Sequence, residues 1–366
     1  MNALIVTGEK SAENYASILI DEFKKLDKNI NFFSVSSDIL ESKTQKIADY
    51  RSISIIGLKE AFLVAGKAFG LLRKIKSFIG KNDIDVVILI DFPEFNMRIA
   101  KFAYKLGKKV VYYISPQVWA WRKYRVKNLF LYSTLVVPIL PFEKTFFSLN
   151  GVDKNKIAYM GHPIVDLLHD KIGIHKKENI ILIMPGSRKS EIDYNCKTMF
   201  EAAKIIKDRY GYFRFVWVLP KDFDKEYANK MLQGFEFIEV ENDAYALMDK
   251  AYFGILKSGT TTLEAALFGL PMVVVYKLSK ISYIIGKLII NGVNYISLPN
   301  LIYGKMVVKE FIEDDATAEN IADEFFKIHT NPDLYNKMHN ELSGMINILG
   351  EYPVTEKIVK KVYSIV

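Results

Sequence analysis

Two short stretches of this 366-residue chain carry small residues and cations in a pattern that receives an anion. Pro185-Gly186-Ser187-Arg188-Lys189-Ser190-Glu191 follows an apolar run, Ile180–Met184, and opens a helical pattern. A strand, a small-residue turn and a helix start aim backbone N–H groups at negative charge. Gly186 lets the backbone come close, Ser187 and Arg188 add donors, and the Arg188 fork can grip a phosphate bidentately where a lysine cannot. The same residues equally suit a plain helix cap at Ser187 or Ser190 beside a surface arginine. Lys257-Ser258-Gly259-Thr260-Thr261-Thr262-Leu263-Glu264 repeats the arrangement after Phe253–Leu256. Ser258, Gly259 and Thr260 form this second turn. Glu264 falls early in its helix, where it either accepts ribose hydroxyls or complements the helix dipole. Two such turns in one half of the chain suit a diphosphate. The first strand's turn, Gly8–Glu13, lacks G-x-G-x-x-G, and no Walker A sequence occurs, so a nucleotide-sugar suits the pair better than NAD or ATP.

The first half offers proton chemistry. Asp91 ends the run Val86–Ile90 and begins Asp91-Phe92-Pro93-Glu94-Phe95-Asn96. A carboxylate there either takes the proton of an attacking sugar hydroxyl, contributing about 10²–10⁴-fold, or caps a turn before proline. Glu9, after the first strand, is the alternative base. Trp119 and Trp121, with Arg122 and Arg125 close behind, can stack on sugar, cover acyl carbons and meet a phosphate; otherwise they are a core pair with solvated cations. His162, in Gly161-His162-Pro163, either steadies a phosphate or leaving group or is structural. The Asp83/Asp85 and Asp222/Asp224 pairs lie away from these turns, and no clustered His/Cys spacing occurs, so neither a metal nor a cofactor is expected.

Elements that could position these groups recur along the chain. Short apolar runs at Ala3–Thr7, Phe32–Val35, Ser54–Gly57, Val86–Asp91, Val110–Ser115 and Leu135–Ile139 alternate with helical patterns such as Ala12–Leu26. Ile180–Met184, Phe215–Leu219, Phe235–Glu239, Phe253–Leu256 and Met272–Tyr276 do the same in the second half. The alternation predicts an α/β chain with two Rossmann-like, doubly wound parallel sheets facing a cleft, in which ligands sit beyond the carboxyl ends of the strands. The lysine-rich stretch His169–Asn179 reads as the linker. Residues 1–168 then form one domain and 169–350 the other, with a helix at about 351–366 crossing back to the first.

Composition narrows the setting. The formal charge is +8, so nucleic acid, anionic lipid and phosphorylated substrates all remain open, beside a merely solvated lysine-rich surface. One cysteine, Cys196, excludes an internal disulfide and fits a reducing compartment. The N-terminal Met1–Lys10 reads as a first strand rather than a signal peptide, and no run approaches the ~18 apolar residues of a membrane span.

Several blocks, in this order, resemble the lipid-A-disaccharide synthase family, inverting glycosyltransferases of the GT-B fold (glycosyltransferase family 19): Asp91–Asn96, Tyr113–Arg122, Pro141–Phe147, Gly161–Asp166, Met184–Ile192, Ser258–Lys277 and Ser297–Ile302. The resemblance implies transfer of 2,3-diacylglucosamine from UDP to 2,3-diacylglucosamine 1-phosphate, giving a β-1,6 disaccharide and UDP. It implies Asp91 as base, Arg188 as the diphosphate-side arginine, and Glu264 and Asn300 at the nucleotide-sugar site. Two departures stand out. The family's G-E-x-S-G-D loop is here Gly8-Glu9-Lys10-Ser11-Ala12-Glu13, keeping Glu9 and Ser11 for any acceptor role, and Glu313 replaces a frequent glutamine. Related alternatives with the same fold are a UDP-GlcNAc 2-epimerase or a muramyl-type transferase. A basic nucleic-acid-binding protein leaves the Gly186 and Gly259 turns without a purpose.

Lipid substrates would bring the enzyme to the cytoplasmic face of the inner membrane as a peripheral protein. Leu58–Lys81, apolar with Lys67, Arg73, Lys74 and Lys76 interleaved, and Ile281–Ile290 are the stretches suited to anionic lipid; each also suits an ordinary core helix.

Overall fold

The structure, a computed structural model, describes residues 1–51, 61–119, 123–173, 176–220, 223–277 and 294–366, with backbone alone for 61–65. It contains strands β1 (Asn2–Val6), β2 (Asn31–Val35), β3 (Gln45–Ala48), β4 (Val86–Ile90), β5 (Lys109–Tyr113), β6 (Leu135–Val137), β7 (Glu178–Met184), β8 (Arg214–Val218), β9 (Ile238–Glu241), β10 (Ala251–Lys257), β11 (Met272–Tyr276) and β12 (Lys309–Ile312). The helices up to the second sheet are α1 (Lys10–Leu26), α2 (Ala61–Lys81), α3 (Pro93–Lys105), α4 (Val126–Leu131), α5 (Pro141–Leu149) and α6 (Ile164–Leu168). Those that follow are α7 (Lys189–Arg209), α8 (Lys225–Met231), α9 (Ala244–Lys250), α10 (Thr260–Leu267), α11 (Leu298–Tyr303), α12 (Ala318–His329), α13 (Pro332–Ser343), α14 (Ile346–Leu349) and α15 (Val354–Tyr363).

Two compact units result: Met1–Leu167 with Leu349–Val366, and Leu168–Ile348. Each holds a six-stranded sheet, in the orders β3-β2-β1-β4-β5-β6 and β12-β11-β10-β7-β8-β9. All recorded pairings are parallel. Parallel sheets covered on both faces need strands apolar on both sides, and β4, Val-Val-Ile-Leu-Ile, is buried at every residue. In each sheet the chain starts in the middle, winds outward, and returns to wind the other way. β1 therefore lies beside β4, and β7 beside β10. The crevice beyond such a neighbouring pair is where ligands bind in open α/β sheets.

The helices follow from their patterns. Alpha-helix α1 buries Ala12, Tyr15, Ala16, Leu19, Ile20 and Phe23 along one face, the i, i+3, i+4 spacing of an amphipathic helix, and carries Lys24 and Lys25 in its last turn. Pro93 and Pro141 occupy the first turns of α3 and α5, where the missing N–H costs nothing. Alpha-helix α15 buries Val354, Thr355, Ile358, Val359 and Val362 and packs on α1 within the first unit.

Two features differ from the sequence-based expectation. Strands β3 and β12 close one edge of each sheet where no apolar run signals them: Gln-Lys-Ile-Ala has no buried residue, and Lys-Glu-Phe-Ile has one. Strand β9 begins at Ile238 rather than Phe235, because Phe235 and Phe237 instead turn inward as an aromatic cluster with Phe200 and Phe215. The expected strand Ser54–Gly57 and the apolar stretch Ile281–Ile290 lie outside the described residues, as do residues 58–60 of the Leu58–Lys81 stretch. Among the described residues, no helix is long and apolar enough to cross a membrane.

Candidate active site

In the first unit, the β1–β4 neighbourhood puts Glu9 and Asp91 at adjacent strand ends. Asp91 and Phe92 are both in the left-handed region, at φ 49° and 51°, and Ile114 after β5 is a third such residue at φ 62°. Non-glycine residues held there cost about 1–3 kcal/mol each and persist only where surroundings fix them. Here they are fixed. The Asp91 carbonyl accepts from Tyr112 Oη at 3.0 Å and Asn96 Nδ2 at 2.8 Å, while its N–H donates to Tyr113 O and Ile114 O, each at 3.3 Å. The backbone is thus fully tied down. Burial, and then the neighbouring Glu9 carboxylate, push the Asp91 carboxyl up to about 7, against a lowering hydrogen bond from the Phe92 backbone. Glu9 is itself oriented by Ser11, whose hydroxyl donates to Glu9 Oε1 at 2.5 Å. Glu13, at the family's aspartate position, turns inward: it is buried and accepts from the Ser37 N–H, from Ser37 Oγ at 2.6 Å and from Tyr50 Oη at 3.3 Å. The departure noted in that loop therefore falls on a brace between α1 and the end of β2.

The tryptophan block is anchored by a residue the sequence did not single out. Glu143, buried at the start of α5, accepts from Ser115 Oγ at 3.0 Å, Ile139 N at 3.0 Å and Leu140 N at 2.8 Å. Burial pushes its carboxyl up to about 7, against those hydrogen bonds. The Ser115-Pro116 turn is thereby pinned to α5, and Trp119 packs edge-on against Phe142 at 4.8 Å. Trp121 and Arg122 lie outside the described residues. Arg125 is not positioned as a phosphate ligand: both its terminal nitrogens pair with Glu94, at 2.5 and 3.1 Å. It closes a small pocket with Pro93, Met97, Pro116, Val118 and Leu129.

His162 also departs from expectation. It is buried, its Nδ1 accepts from Ile164 N at 3.0 Å, its backbone N–H donates to Leu349 O at 2.7 Å, and its ring meets Tyr15 edge-on. Burial pushes its imidazole down to about 3. A neutral ring in that position accepts from the following turn and packs on Tyr15 of α1, and it supplies no positive charge to a phosphate.

In the second unit, the β7–β10 neighbourhood brings the two small-residue turns together. The first turn is already filled. Glu191, at the third position of α7, reaches back so that Oε2 accepts from Ser187 N at 3.0 Å and Arg188 N at 3.4 Å, while Lys257 Nζ donates to Oε1 at 3.1 Å. Arg188 itself, rather than Ser187 or Ser190, is the N-cap residue. Burial works to raise the Glu191 carboxyl, but Lys257 and the two amides outweigh it and hold it below its usual range. Gly186, at φ +131°, is needed for this packing: a Cβ there would stand 2.5 Å from Glu191 Cβ. The expected cradle of Ser187 and Arg188 amides thus holds the chain's own carboxylate. The Arg188 side chain remains 70% exposed, 3.9 Å from Glu191.

The second turn contrasts with it. Gly259 is extended, at φ 163°, and a Cβ there would meet only Lys257 Nζ, at 4.0 Å. No packing within the described residues demands glycine at this point. The turn is held from behind. Ser258 Oγ donates to Ile296 O at 2.8 Å, so its hydroxyl is spent on structure. Glu310 accepts from Ile296 N at 3.0 Å, Ser297 N at 2.9 Å and Ser297 Oγ at 2.6 Å. Asn300, expected at the ligand, is fully buried in the same network: Nδ2 donates to Val308 O and Glu310, each at 2.8 Å, and Oδ1 accepts from Val307 N at 2.7 Å and Val308 N at 3.0 Å. Its amide has nothing left to offer a ligand, because a buried polar group must be satisfied internally. Thr260 begins α10, and Glu264 follows at its second turn. Glu313, after β12, takes a left-handed turn at φ 50°.

Among the described residues, no group of three or more His, Cys, Asp or Glu could hold a metal ion. Asp85 instead accepts from Asn2 N at 2.7 Å, and Asp83 lies 3.6 Å from Lys108; Asp222 is outside the described residues.

Two doubly wound parallel units, with their polar groups gathered where the winding reverses, define the GT-B fold. The same fold occurs in a UDP-GlcNAc 2-epimerase from Neisseria meningitidis, bound to UDP-GlcNAc, with a TM-score of 0.71 at 14% identity over all of both chains. A ugt transferase from Siraitia grosvenorii in complex with UDP has a TM-score of 0.59 at 11% identity over 99% of each chain. The sequence comparisons are more specific. The profile of the lipid-A-disaccharide synthetase family matches residues 3–351. Lipid-A-disaccharide synthases of Geobacter metallireducens and of a Sulfurihydrogenibium species are each 33% identical, covering 97% and 96% of this chain and 94% of each relative. The chain belongs to the lipid-A-disaccharide synthetase family and is a glycosyltransferase of lipid A disaccharide synthesis.

Proposed function

We propose that the chain transfers 2,3-diacylglucosamine from UDP to the 6-hydroxyl of 2,3-diacylglucosamine 1-phosphate, with inversion, and that Asp91 is the base. The observation that carries this reading is the Asp91 carboxyl itself: borne on a backbone tied down at a strand end and raised to about 7, it is matched to proton removal near neutral pH. Asp91 takes the hydroxyl proton as that oxygen bonds to the anomeric carbon. The bond from that carbon to the diphosphate oxygen breaks, and UDP leaves with the electron pair. In the second unit, the turn at Gly259 and Thr260 receives the diphosphate, Arg188 adds charge, and Glu264 accepts the ribose hydroxyls. The UDP and UDP-GlcNAc named with the related folds support a UDP-sugar donor. Two acyl chains keep such substrates in a bilayer, at about 0.8 kcal/mol per buried CH₂, so the enzyme works peripherally at the inner-membrane surface. Alpha-helix α2, with no acidic residue in Ala61–Lys81 and Phe69 66% exposed, is its docking element on the cytoplasmic side.

The test incubates purified protein with UDP-diacylglucosamine and diacylglucosamine 1-phosphate, without added metal, and weighs the lipid product. The expected product is the disaccharide 1-phosphate, formed at least ~10²-fold more slowly by Asp91→Asn. Product formation at the normal rate by that variant would remove Asp91 from the role. Hydrolysis or epimerisation of the donor without a disaccharide would remove the reaction.

A further inference from the structure

Glu264 is not an isolated carboxylate. Tyr245, in the second position of α9, donates its phenol to Glu264 Oε1 at 3.0 Å. The tyrosine ring is held on two sides: it stacks near-parallel on Phe268, at 6.2 Å between centroids and 29° between planes, and Lys171 Nζ sits 4.3 Å from its centroid. Phe268 directly follows α10, the helix that carries Glu264, so ring and carboxylate are fixed to one element. One carboxylate oxygen is thereby spoken for, and the torsions that would let Glu264 swing away are restrained. Burial pushes the Glu264 carboxyl up, while Tyr245 and Lys171 act in the opposite direction and favour the charged form.

We infer that Tyr245 is a positioning residue for nucleotide recognition: by binding one oxygen of Glu264 and locking its rotamer, it presents the other oxygen to the ribose diol of the UDP moiety. The inference rests on the ribose role proposed for Glu264. It assigns the discrimination between a ribonucleotide and its dideoxy counterpart to a pair of side chains rather than to the glutamate alone. A glutamate free to rotate must give up side-chain entropy on binding, whereas one already oriented does not. A charged hydrogen-bond acceptor left without its diol in a buried site is correspondingly costly.

The test is calorimetric titration of the full chain with UDP and with 2′,3′-dideoxy-UDP. The wild-type protein is expected to prefer UDP by about tenfold or more, the effect of hydrogen bonds to a charged group. Tyr245→Phe keeps the ring and removes only the phenol oxygen. It is expected to reduce that preference severalfold while leaving dideoxy-UDP affinity and the melting temperature near wild type. In a Glu264→Gln background the preference is already small, and Tyr245→Phe changes it no further. An equal loss of affinity for both ligands, or an undiminished preference, would overturn the positioning role while leaving Glu264 at the ribose. A wild-type protein that binds the two ligands alike would overturn the ribose reading itself, and the inference with it.

Discussion

Replacing Glu9 with glutamine separates the two carboxylates at the heads of β1 and β4. The Asp91 carboxyl stands at about 7 because burial, first, and the Glu9 charge, second, both penalise its ionised form. A base must be ionised to act, so kcat/KM should rise with pH and level off above 7. The ionised fraction of a group at about 7 is roughly a tenth at pH 6 and a hundredth at pH 5, whereas a carboxyl at its ordinary 3.8 is already about nine-tenths ionised at pH 5. The wild-type profile should therefore fall about tenfold per unit below pH 7. Glu9→Gln removes the second cause and leaves the first. The acid limb should move to lower pH but stay above that of an ordinary aspartate, so the variant gains relative activity at pH 6 while its plateau is largely kept. The assay is disaccharide formation at subsaturating donor, from pH 5 to 9, with substrate titrations excluded by control. Abolition of the plateau by Glu9→Gln would make Glu9 the base and refute the reasoning, as would a wild-type profile flat down to pH 5.

Stability offers an independent check on the same group. Because the folded-state value is raised, folding favours the protonated acid; the cost is absent below about 3.8, grows with pH, and is complete above about 7, at a ceiling of about 4 kcal/mol. Asp91→Asn should accordingly be more stable than wild type at pH 8, with the gap shrinking to less than half by pH 5, as read from melting curves; a gap independent of pH would contradict it. The two glycine turns should respond oppositely to alanine. Gly186→Ala should lose about 1–3 kcal/mol of stability through its positive φ and the crowding with Glu191, whereas Gly259→Ala should melt within about 0.5 kcal/mol of wild type yet bind UDP at least tenfold more weakly. Exchange of Lys67, Arg73, Lys74 and Lys76 for glutamate should abolish flotation with anionic liposomes, and unchanged flotation would detach α2 from the membrane.

The strands of both sheets that are buried on two faces announce themselves as apolar runs, and the turns after them follow. Two of the four edge strands do not: β3 and β12 are polar, with one side of each unpaired, and nothing in Gln45–Ala48 distinguishes a strand from a loop. The site divides in the same way. Strand-end position suffices to place Asp91 beyond β4 and Gly259 beyond β10. It does not reveal which polar groups are already engaged, since the partners lie far off in sequence: Glu191 with Lys257, Arg125 with Glu94, Ser258 with Ile296. Of these, only the capping of the Ser187 and Arg188 amides by Glu191 has a local signal, a glutamate at the third helical position. Glu143, third in α5 and accepting from Leu140 N, carries the same local signal, but its bond to Ser115 and the buried role of Asn300 needed tertiary contacts to be seen.

The first unit is assembled from two separate segments, Met1–Leu167 and Leu349–Val366, whereas the second is one uninterrupted segment. Asp166 seals the join by accepting from the backbone N–H groups of Val354 and Thr355, at 2.8 and 2.5 Å, and Tyr363 reaches Asp27 at 3.3 Å. During translation, the second unit can therefore mature while the first still waits with a greasy stripe of α1 uncovered. Only when residues 349–366 leave the ribosome can that stripe be capped, so a nascent chain stalled short of them presents a half-built first unit to chaperones and proteases while its second unit is finished.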